Sequence, residues 1–292
     1  MILDITSQKT NSLSVDLSIA VVCNEYVKVT FWGTRGTFPI IGKDERSFRS
    51  YDTSCVEIFS PQINKSILLD AGSGLEKCIR HSLKRKVKSF DIFMSHFHWD
   101  HLLGLFSFYD LINSGIKVRV FSPDKNIKKI GDFIFSFPLS PFSRKTIDKT
   151  FKFHFLEKKT IILNGFRATF HNVPHSMKTY AIEVLHKQKK IIYMPDVDLS
   201  LLSGKKRFLN SDLLICDSFH LQKDKDITGG WGHSSSQESA LFAQLVKAKK
   251  LALFHYNNHY STKKISAVYN EAKKNGKKIK IFKAYDQLTV DI

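Results

Sequence analysis

Short apolar runs alternate with polar or glycine-containing turns along most of the chain. Beyond an N-terminal segment, twelve runs of five to seven residues are rich in β-branched and aromatic side chains, which is typical of β-strands. These predicted strands are YVKVTFW, SCVEIF, SILLD, SFDIFMS, KVRVFS, FKFHFL, ATFHNV, YAIEVL, KIIYM, DLLICD, KLALFHY and KIKIF.

Helical periodicity is rarer in this sequence. The helix predicted from residue 236 has the clearest signal, because Ser235 and Glu238 have capping-box spacing and apolar residues follow at helical intervals. Many strands with few helices predict two sheets covered by helices, an α/β layered sandwich. The predicted helices are 74–86, 102–113, 126–134, 236–249 and 262–275.

The chain shows no proline- or glycine-rich linker, so we expect one domain over residues 27–292. Residues 1–26 form an N-terminal extension to which the sequence assigns no role. The longest loop-like stretch is FSFPLSPFSRKTIDKT, residues 135–150. We interpret it as a flap over a site rather than a domain boundary.

Composition excludes a mainly disordered protein, since 42% of the residues are hydrophobic and 12% are aromatic. The net charge of +18 has two interpretations. It attracts an anionic partner such as nucleic acid, a nucleotide or a membrane surface, or it reflects a compositional bias towards lysine. Only 9 of the 45 basic residues are arginine, and the lysines are scattered, which is unusual for a nucleic-acid reader. The charge alone therefore does not select a substrate.

The four cysteines, Cys23, Cys55, Cys78 and Cys216, include no C-x-x-C pair. The N-terminus lacks the features of a secretory signal, and no apolar run approaches the length that spans a bilayer. We therefore expect a reduced, cytoplasmic protein with thiols in its core and no membrane partner.

The segment MSHFHWDHLLGLF, residues 94–106, places three histidines and one aspartate directly after a predicted buried strand. His96 and His98, at positions i and i+2 of extended backbone, project to the same side. Asp100 and His101 start the next predicted helix, which directs their side chains back toward the same place. Imidazole nitrogen and carboxylate oxygen together suit Zn²⁺, Mn²⁺ or iron, so six positions supply four candidate ligands.

Further candidate ligands stand at the ends of later predicted strands. FHNVPH ends at His175, IIYMPD ends at Asp196, and LALFH ends at His255. Each is a histidine or aspartate just after an apolar run, and this recurrence favours metal ligands over isolated histidines. Four ligands do not complete two metal sites, so a dinuclear centre requires these additional residues.

The pattern H-x-H-x-D-H after a strand, with later His, Asp and His, resembles the metallo-β-lactamase fold superfamily of hydrolases. FWGTRGTFP, YDTSCVEI and ILLDAGSGL resemble the opening segments of its small phosphodiesterase branch, and the likeness covers about residues 27–285. The resemblance implies a single-domain, four-layer αββα sandwich that binds two divalent metal ions, Zn or Mn. In that case one ion is held by His96, His98 and His175, the other by Asp100, His101 and His255, and Asp196 bridges both.

The resemblance also implies roles in catalysis. The metals would lower the pKa of a shared water and give hydroxide near neutral pH. His233 lies in a GHSS segment ahead of a helix N-terminus, which favours an anion, and it matches a histidine that protonates the leaving oxygen. Its alternative role is that of a loop histidine near a helix cap. The catalytic candidates are thus His233 and Asp100.

Two other polar residues each have two interpretations. Asp70 either orients a ligand histidine or caps the AGSG turn, and Arg35 either contacts the substrate phosphate or stabilises its own turn. His259 is the unassigned histidine of most interest, because it follows His255 by four positions. The histidines without an assigned role are His81, His154, His171, His186, His220 and His259.

Four functions compete for this set of residues. They are hydrolysis of a small or cyclic phosphodiester such as a cyclic nucleotide, ribonuclease Z-like tRNA 3′-processing, hydrolysis of thioesters, lactones or β-lactams, and RNA binding by a module with a decayed metal site. The filled ligand positions argue against the last function. His233 argues against the third, because it supplies an acid for an alkoxide leaving group.

The interval from His175 to Asp196 decides between the first two functions. Typical ribonuclease Z inserts a long tRNA-gripping arm there, whereas this interval is 21 positions with KQKK as a hairpin turn at its middle. We therefore expect a dinuclear phosphodiesterase for a small or cyclic phosphodiester. RNA stays the alternative substrate, because lysines attract phosphate. The resemblance further suggests a homodimer, in which residues 135–150 would cap a neighbour's site.

Overall fold

Two seven-stranded sheets face each other in the computed structural model, which describes residues 26–40, 48–112, 115–136, 143–228 and 230–292. The strands are β1 (Lys28–Gly33), β2 (Cys55–Ser60), β3 (Lys65–Leu69), β4 (Ser89–Phe93), β5 (Lys117–Ser122), β6 (Phe151–Phe155), β7 (Thr160–Leu163), β8 (Phe166–Val173), β9 (Thr179–His186), β10 (Lys189–Met194), β11 (Leu213–Asp217), β12 (Lys250–Phe254), β13 (Lys280–Lys283) and β14 (Leu288–Asp291). The α-helices are α1 (Leu75–Lys84), α2 (Ile127–Ile134), α3 (Arg144–Thr150), α4 (Gln222–Thr228), α5 (Ser236–Leu245) and α6 (Thr262–Asn275).

Each sheet is half antiparallel and half parallel. The first has the order β14-β1-β2-β3-β4-β5-β6, with antiparallel pairs up to β3 and parallel pairs from β3 to β6. The second has the order β7-β8-β9-β10-β11-β12-β13, with antiparallel pairs up to β10 and parallel pairs beyond it. The two halves of the chain therefore repeat one layout. Each half contributes a row of parallel strands whose carboxyl ends meet at one edge of its sheet.

Apolar side chains fill three layers of this structure. The central layer joins the two sheets, for example through the rings of Phe93 and Phe170, whose centroids are 6.0 Å apart. Burying one such side chain stabilises the fold by about 1.5–3 kcal/mol. The outer layers pack α5 and α6 on the second sheet, and α1, α2 and α3 on the first. Helices on both outer faces of paired sheets make a four-layer αββα sandwich, which confirms the predicted fold class.

All twelve predicted strands are present within a few residues of their predicted bounds. The sequence pattern did not predict β7 or β14. Both are four-residue strands at a sheet edge, with alternating exposed and half-buried positions. Strands this short carry too few apolar positions to stand out from a loop.

The helix predicted at 102–113 is wrong in type, because Leu103–Leu111 is a 3₁₀ helix. The buried residues Leu102, Leu105 and Phe108 are spaced by three, as the three-residue turn of a 3₁₀ helix requires. The segment is pressed against the chain after β3, since a Cβ on Gly104 would lie 2.1 Å from the carbonyl oxygen of Gly72. Only glycine fits at this position of the segment.

Residues 135–150 were expected to form a loop, and this expectation is wrong for the last residues of the segment. Ser143 caps α3 by accepting a hydrogen bond from the Thr146 amide, and Ile147 is buried against the first sheet. Residues 143–150 thus belong to the outer helical layer, while residues 137–142 of the expected flap lie outside the described residues. Helix α4 was also not predicted, because its sequence QKDKDIT has no apolar stripe.

Three of the four cysteines, Cys55, Cys78 and Cys216, are free and buried, which confirms core thiols at these positions. Cys23 and the other residues up to 25 lie outside the described residues, so the domain boundary near residue 26 stays a prediction. In the described part of the chain, no helix has the length and apolar character needed to cross a bilayer.

Candidate metal centre

The H-x-H-x-D-H segment leaves the first sheet at the carboxyl end of β4. The Ser95 amide donates to Asp70 Oδ1 over 2.7 Å, which fixes the chain as it leaves the strand. His98 is extended (φ −69°, ψ 157°), and Trp99–His101 then form one 3₁₀ turn. The predicted change from extended to helical backbone therefore occurs, and it directs all four polar side chains of the segment into one space.

One group of potential ligand atoms combines three histidines. His98 Nδ1 lies 2.9 Å from His96 Nε2 and 3.3 Å from His175 Nε2. His175 reaches this place from the turn between β8 and β9, where its Nδ1 donates to the Gly232 carbonyl over 2.8 Å. Asp196 Oδ2 completes the group at 3.6 Å from His96 Nε2 and 3.5 Å from His175 Nε2.

A second group lies directly beside the first. His255 Nε2 is 2.9 Å from Asp100 Oδ2, and His101 Nε2 is 3.5 Å from the same oxygen. Asp196 Oδ1 is 3.1 Å from His101 Nε2 and 3.3 Å from His255 Nε2. The two carboxylate oxygens of Asp196 thus face different groups, which is the arrangement that a bridging ligand requires. All seven predicted ligands are brought together.

The hydrogen bonding around these atoms is better explained by bound divalent cations than by contacts within the protein alone. His101 Nε2 and Asp196 Oδ1 are buried and make no hydrogen bond within the described residues, although they face each other. Nitrogen atoms of three imidazoles also converge at His98. Buried polar atoms without hydrogen-bond partners lower the stability of a fold. A cation between such atoms would accept all of their lone pairs.

Electrostatics supports the same conclusion. Burial, reinforced by His101, holds the pKa of His96 well below its usual range, so this imidazole is in the neutral form that binds metal. Burial opposes the ionised form of Asp196, but His255, His101 and His96 lower its pKa well below the usual range. For His101, burial is outweighed by Asp100, Asp196 and Asp70, which raise its pKa. The surroundings of His101 therefore favour positive charge.

Asp70 orients the predicted ligand His101 through a hydrogen bond to its Nδ1. Its Oδ2 accepts from His101 Nδ1 over 2.7 Å, from Ser95 Oγ over 2.7 Å and from the Tyr193 hydroxyl over 2.9 Å. His96 Nδ1 in turn lies 3.0 Å from Ser95 Oγ. These contacts use the Nδ1 atoms of both histidines and leave each Nε2 free for a metal. Of the two roles expected for Asp70, the structure supports orientation of a ligand histidine.

Two residues of the site adopt left-handed backbone conformations that such residues rarely populate. Asp70 follows β3 with φ 59°, and His255 follows β12 with φ 60°. Gly36 lies directly against His255, since a Cβ at this position would be 2.5 Å from His255 Cε1. Non-glycine residues in this region cost on the order of 1–3 kcal/mol, which the surrounding fold must offset, and such strain clusters at functional sites.

His233 lies beside the two groups and is held by a carboxylate. Its Nδ1 donates to Asp217 Oδ2 over 2.9 Å, and it is 3.9 Å from Asp196 Oδ2. The ring packs against Phe219 and against His255, with ring centroids 4.4 and 5.1 Å away and planes nearly parallel to both. Burial opposes the charged form, but Asp217 raises the pKa of His233 above its usual value. Asp217 was not predicted from the sequence, although it stands at the end of β11 just as other site residues stand at the ends of their strands.

The helix N-terminus after His233 is less open to an anion than expected. Ser235 forms the predicted capping box with Glu238, which uses the amides of both residues. The Ser236 amide donates to the His220 carbonyl over 2.9 Å. These three amides already have acceptors in the protein, so the attraction of an anion to this end of α5 stays a prediction.

Arg35 does not face the site. Its Nε donates to the Ser50 carbonyl over 2.7 Å, and one terminal nitrogen donates to the carbonyls of Asn257 and Tyr260 over 2.8 and 3.1 Å. Burial is the main reason that its pKa falls to about 10. Of its two expected roles, Arg35 therefore fills the structural one.

The histidines without an assigned role stay outside the grouped ligands. His259 is exposed and lies at a cavity of about 270 Å³ that Trp231 and Tyr260 also line. Within the described residues, none of the six belongs to a set of His, Cys, Asp or Glu side chains close enough to hold a metal ion. These six are His81, His154, His171, His186, His220 and His259.

Comparisons with known proteins agree with this geometry. The model of the beta-lactamase superfamily domain matches residues 65–256, which include every predicted ligand. A ribonuclease Z from Picrophilus torridus is 25% identical over 297 residues, covering 84% of this chain and 90% of the relative. The crystal structure of the metallo-beta-lactamase fold protein YhfI from Bacillus subtilis has a TM-score of 0.72 at 20% identity, covering 92% of this chain and all of that one. A diphosphatase from the PhnP family has a TM-score of 0.64 at 19% identity, covering 90% of this chain and 97% of that one. At these sequence identities, the similarity to the two crystal structures concerns the fold alone.

Proposed function

The chain belongs to the beta-lactamase superfamily, and we propose that it is a metal-dependent phosphodiesterase for a small or cyclic phosphodiester such as a cyclic nucleotide. The observation that carries the substrate choice is the short hairpin between His175 and Asp196. The strands β9 and β10 are joined by Lys187 and Gln188 alone, with Lys187 in a left-handed conformation. This two-residue turn leaves no tRNA-gripping arm in the interval.

We assign two divalent ions, Zn or Mn, to the centre. Bound there, such ions would supply Lewis-acid chemistry, lowering the pKa of water and offsetting negative charge on the phosphodiester. Asp100 is assigned to the ligand set, because its Oδ2 faces His255 and accepts the Thr37 amide over 2.9 Å. The first ion is assigned to His96, His98 and His175, the second to Asp100, His101 and His255, and the bridge to Asp196.

His233 is assigned as the general acid that protonates the leaving oxygen. An alkoxide is a poor leaving group, so a positioned proton donor speeds its departure by roughly 10²–10⁴-fold. Asp217 fixes the ring and favours its protonated form, while Phe219 and His255 hold it in a stack. The other ring nitrogen, Nε2, is the atom that would carry the transferred proton.

The second candidate function is RNA 3′-end processing. The curated relative is named a ribonuclease Z, and the +18 charge of this chain would attract RNA. The lengths of the matched segments argue against this function. The matched 84% of this chain is about 245 residues, and the alignment extends over 297 positions. The relative therefore has roughly 50 residues in the matched span that this chain lacks. The two-residue β9–β10 turn leaves no room for a gripping arm between His175 and Asp196.

A turnover screen separates the two functions. The purified chain, loaded with Mn²⁺ or Zn²⁺, is offered 3′,5′- and 2′,3′-cyclic nucleotides beside a tRNA precursor. We expect turnover of a cyclic phosphodiester to exceed that of the precursor. Position-specific cutting of the precursor without turnover of any cyclic nucleotide or cyclic sugar phosphate would establish the second function instead.

The expected homodimer and the cytoplasmic location stay predictions, and light scattering of the purified chain would test the dimer.

A further inference from the structure

Two exposed tryptophans, Trp99 and Trp231, stand in the chain beside residues of the metal centre. Among the predicted ligands, His98 is half-buried, whereas the side chains of the others are almost fully enclosed. Trp99 directly follows His98. Trp231 precedes Gly232, whose carbonyl accepts the hydrogen bond from His175, and His175 in turn contacts His98. Both tryptophans are thus connected along the chain to the contact between His98 and His175.

Both tryptophans are unusually exposed for such large apolar residues. Trp99 is 59% and Trp231 is 62% accessible, whereas Trp32, the third tryptophan of the chain, is 5% accessible. Exposed apolar surface beside a site is a common mark of a binding surface. Trp231 also has a left-handed backbone (φ 47°, ψ 32°), which a bulky residue rarely adopts. The surrounding fold therefore maintains an unfavourable backbone conformation at this exposed residue.

Space for a planar group exists next to Trp231. The indole lines a cavity of about 270 Å³, whose other walls include Tyr260, His259 and Lys264. The Lys264 ammonium lies over the Tyr260 ring, 4.3 Å from its centroid. Aromatic and cationic groups together at the edge of a phosphodiester site match the chemistry of a nucleotide, in which a flat base is joined to an anion.

We propose that Trp99 and Trp231 hold the base of a nucleotide substrate by stacking, while its phosphodiester lies at the metal centre. The proposal rests on the proposed function and narrows the substrate to a phosphodiester that carries a nucleobase. Stacking tolerates different bases, because every base has a π-face. A base-free cyclic phosphodiester would reach the same metal centre without this contact.

Tryptophan fluorescence tests the proposal directly, since two of the three tryptophans are the exposed pair. The zinc-loaded chain is titrated with AMP and, in parallel, with ribose 5-phosphate, which keeps the sugar and phosphate but lacks the base. We expect saturable quenching by AMP and almost none by ribose 5-phosphate. Trp99→Leu and Trp231→Leu should each remove part of the quenching. Equal quenching by both ligands would overturn the proposal. Emission that responds only to protein concentration would also overturn it, because it would indicate that the tryptophans form an interface between chains.

Turnover provides the second measurement. Each tryptophan variant should lower the kcat/KM ratio of a cyclic nucleotide to a cyclic glycerol phosphate about tenfold, mainly through KM of the cyclic nucleotide. Phe133→Leu, at a 58% accessible aromatic residue on α2, is the matched control and should leave the ratio unchanged. If the native chain cleaves both substrates and the tryptophan variants leave the ratio unchanged, the stacking proposal fails and the proposed function stands. If it cleaves no phosphodiester, the proposed function itself fails.

Discussion

Replacing His233 with alanine separates proton transfer from metal binding in this site. The predicted ligand groups are complete without His233, so the variant should retain both metal ions. The Asp217 carboxylate loses one hydrogen bond but keeps the amides of Val197 and Phe219, at 3.1 and 3.0 Å. Because the carboxylate keeps these partners, we expect folding to survive with a loss of stability of about 1–3 kcal/mol.

The effect on turnover of His233→Ala should depend on the leaving group. On a cyclic nucleotide we expect a loss of roughly 10²–10⁴-fold, which corresponds to about 3–5 kcal/mol of transition-state stabilisation. On a nitrophenyl phosphodiester the loss should be much smaller, because nitrophenolate departs without a proton. The assay compares kcat on both substrates at fixed metal content, measured by elemental analysis. His154→Ala, an exposed histidine on β6, serves as the control and should change neither value.

Two results would refute this argument. An equal loss on both substrates would mean that His233 does not act as the acid. Loss of a metal ion together with the imidazole would mean that His233 is itself a ligand, which the geometry allows, because Asp196, His233 and His255 bring ligand atoms within 4.8 Å of one another.

Further predictions concern the metals and the substrate. Asp196→Ala should reduce metal content and activity, because its two oxygens face different ligand groups, and unchanged values in elemental analysis and turnover would exclude the bridge. Gly36→Ala should weaken metal binding, since the new Cβ would lie 2.5 Å from His255 Cε1 and 2.7 Å from its Nδ1. Gly115→Ala, where no described residue lies within 4 Å of the added Cβ, should cost about 1 kcal/mol of stability through its positive φ but leave metal content unchanged. Thermal unfolding with elemental analysis checks both variants. Turnover of a cyclic mononucleotide should change little between about 50 and 200 mM salt, whereas RNA cleavage would fall by orders of magnitude as counterion release weakens binding.

The candidate ligands stand at the ends of predicted strands, and the topology explains why these strand ends lie close together. Strands β3 and β4 are parallel neighbours in one sheet, and β10, β11 and β12 are parallel neighbours in the other. Residues that follow parallel strands meet at one edge of a sheet, which is where open α/β sheets bind ligands. Polar residues after apolar runs therefore converge on one place, although the sequence separates them by up to 159 positions, from His96 to His255.

Contacts between distant segments could not be predicted in this way. Asp217 ends an apolar run and looks like the last residue of a strand, and its pairing with His233, 16 positions later, follows no local period. Arg35 stands in a polar turn that gives no sign of burial, because two of its three carbonyl acceptors lie more than 200 positions away. The close approach of Gly104 to Gly72 in the 3₁₀ segment at 103–111 is likewise a contact between distant segments that the local pattern does not reveal.

Residues 230–235 connect three parts of the proposed function. The carbonyl of Gly232 fixes His175, a predicted ligand that stands on a turn rather than at the end of a parallel strand. His233 follows immediately, and Trp231 precedes it. Because one short segment orients a ligand, carries the proposed acid and presents an indole, a shift in its backbone would change metal binding, proton transfer and base stacking together. The left-handed conformations of Trp231 and Gly232 fix that backbone, so the strain at Trp231 has a physical reason in the placement of its neighbours.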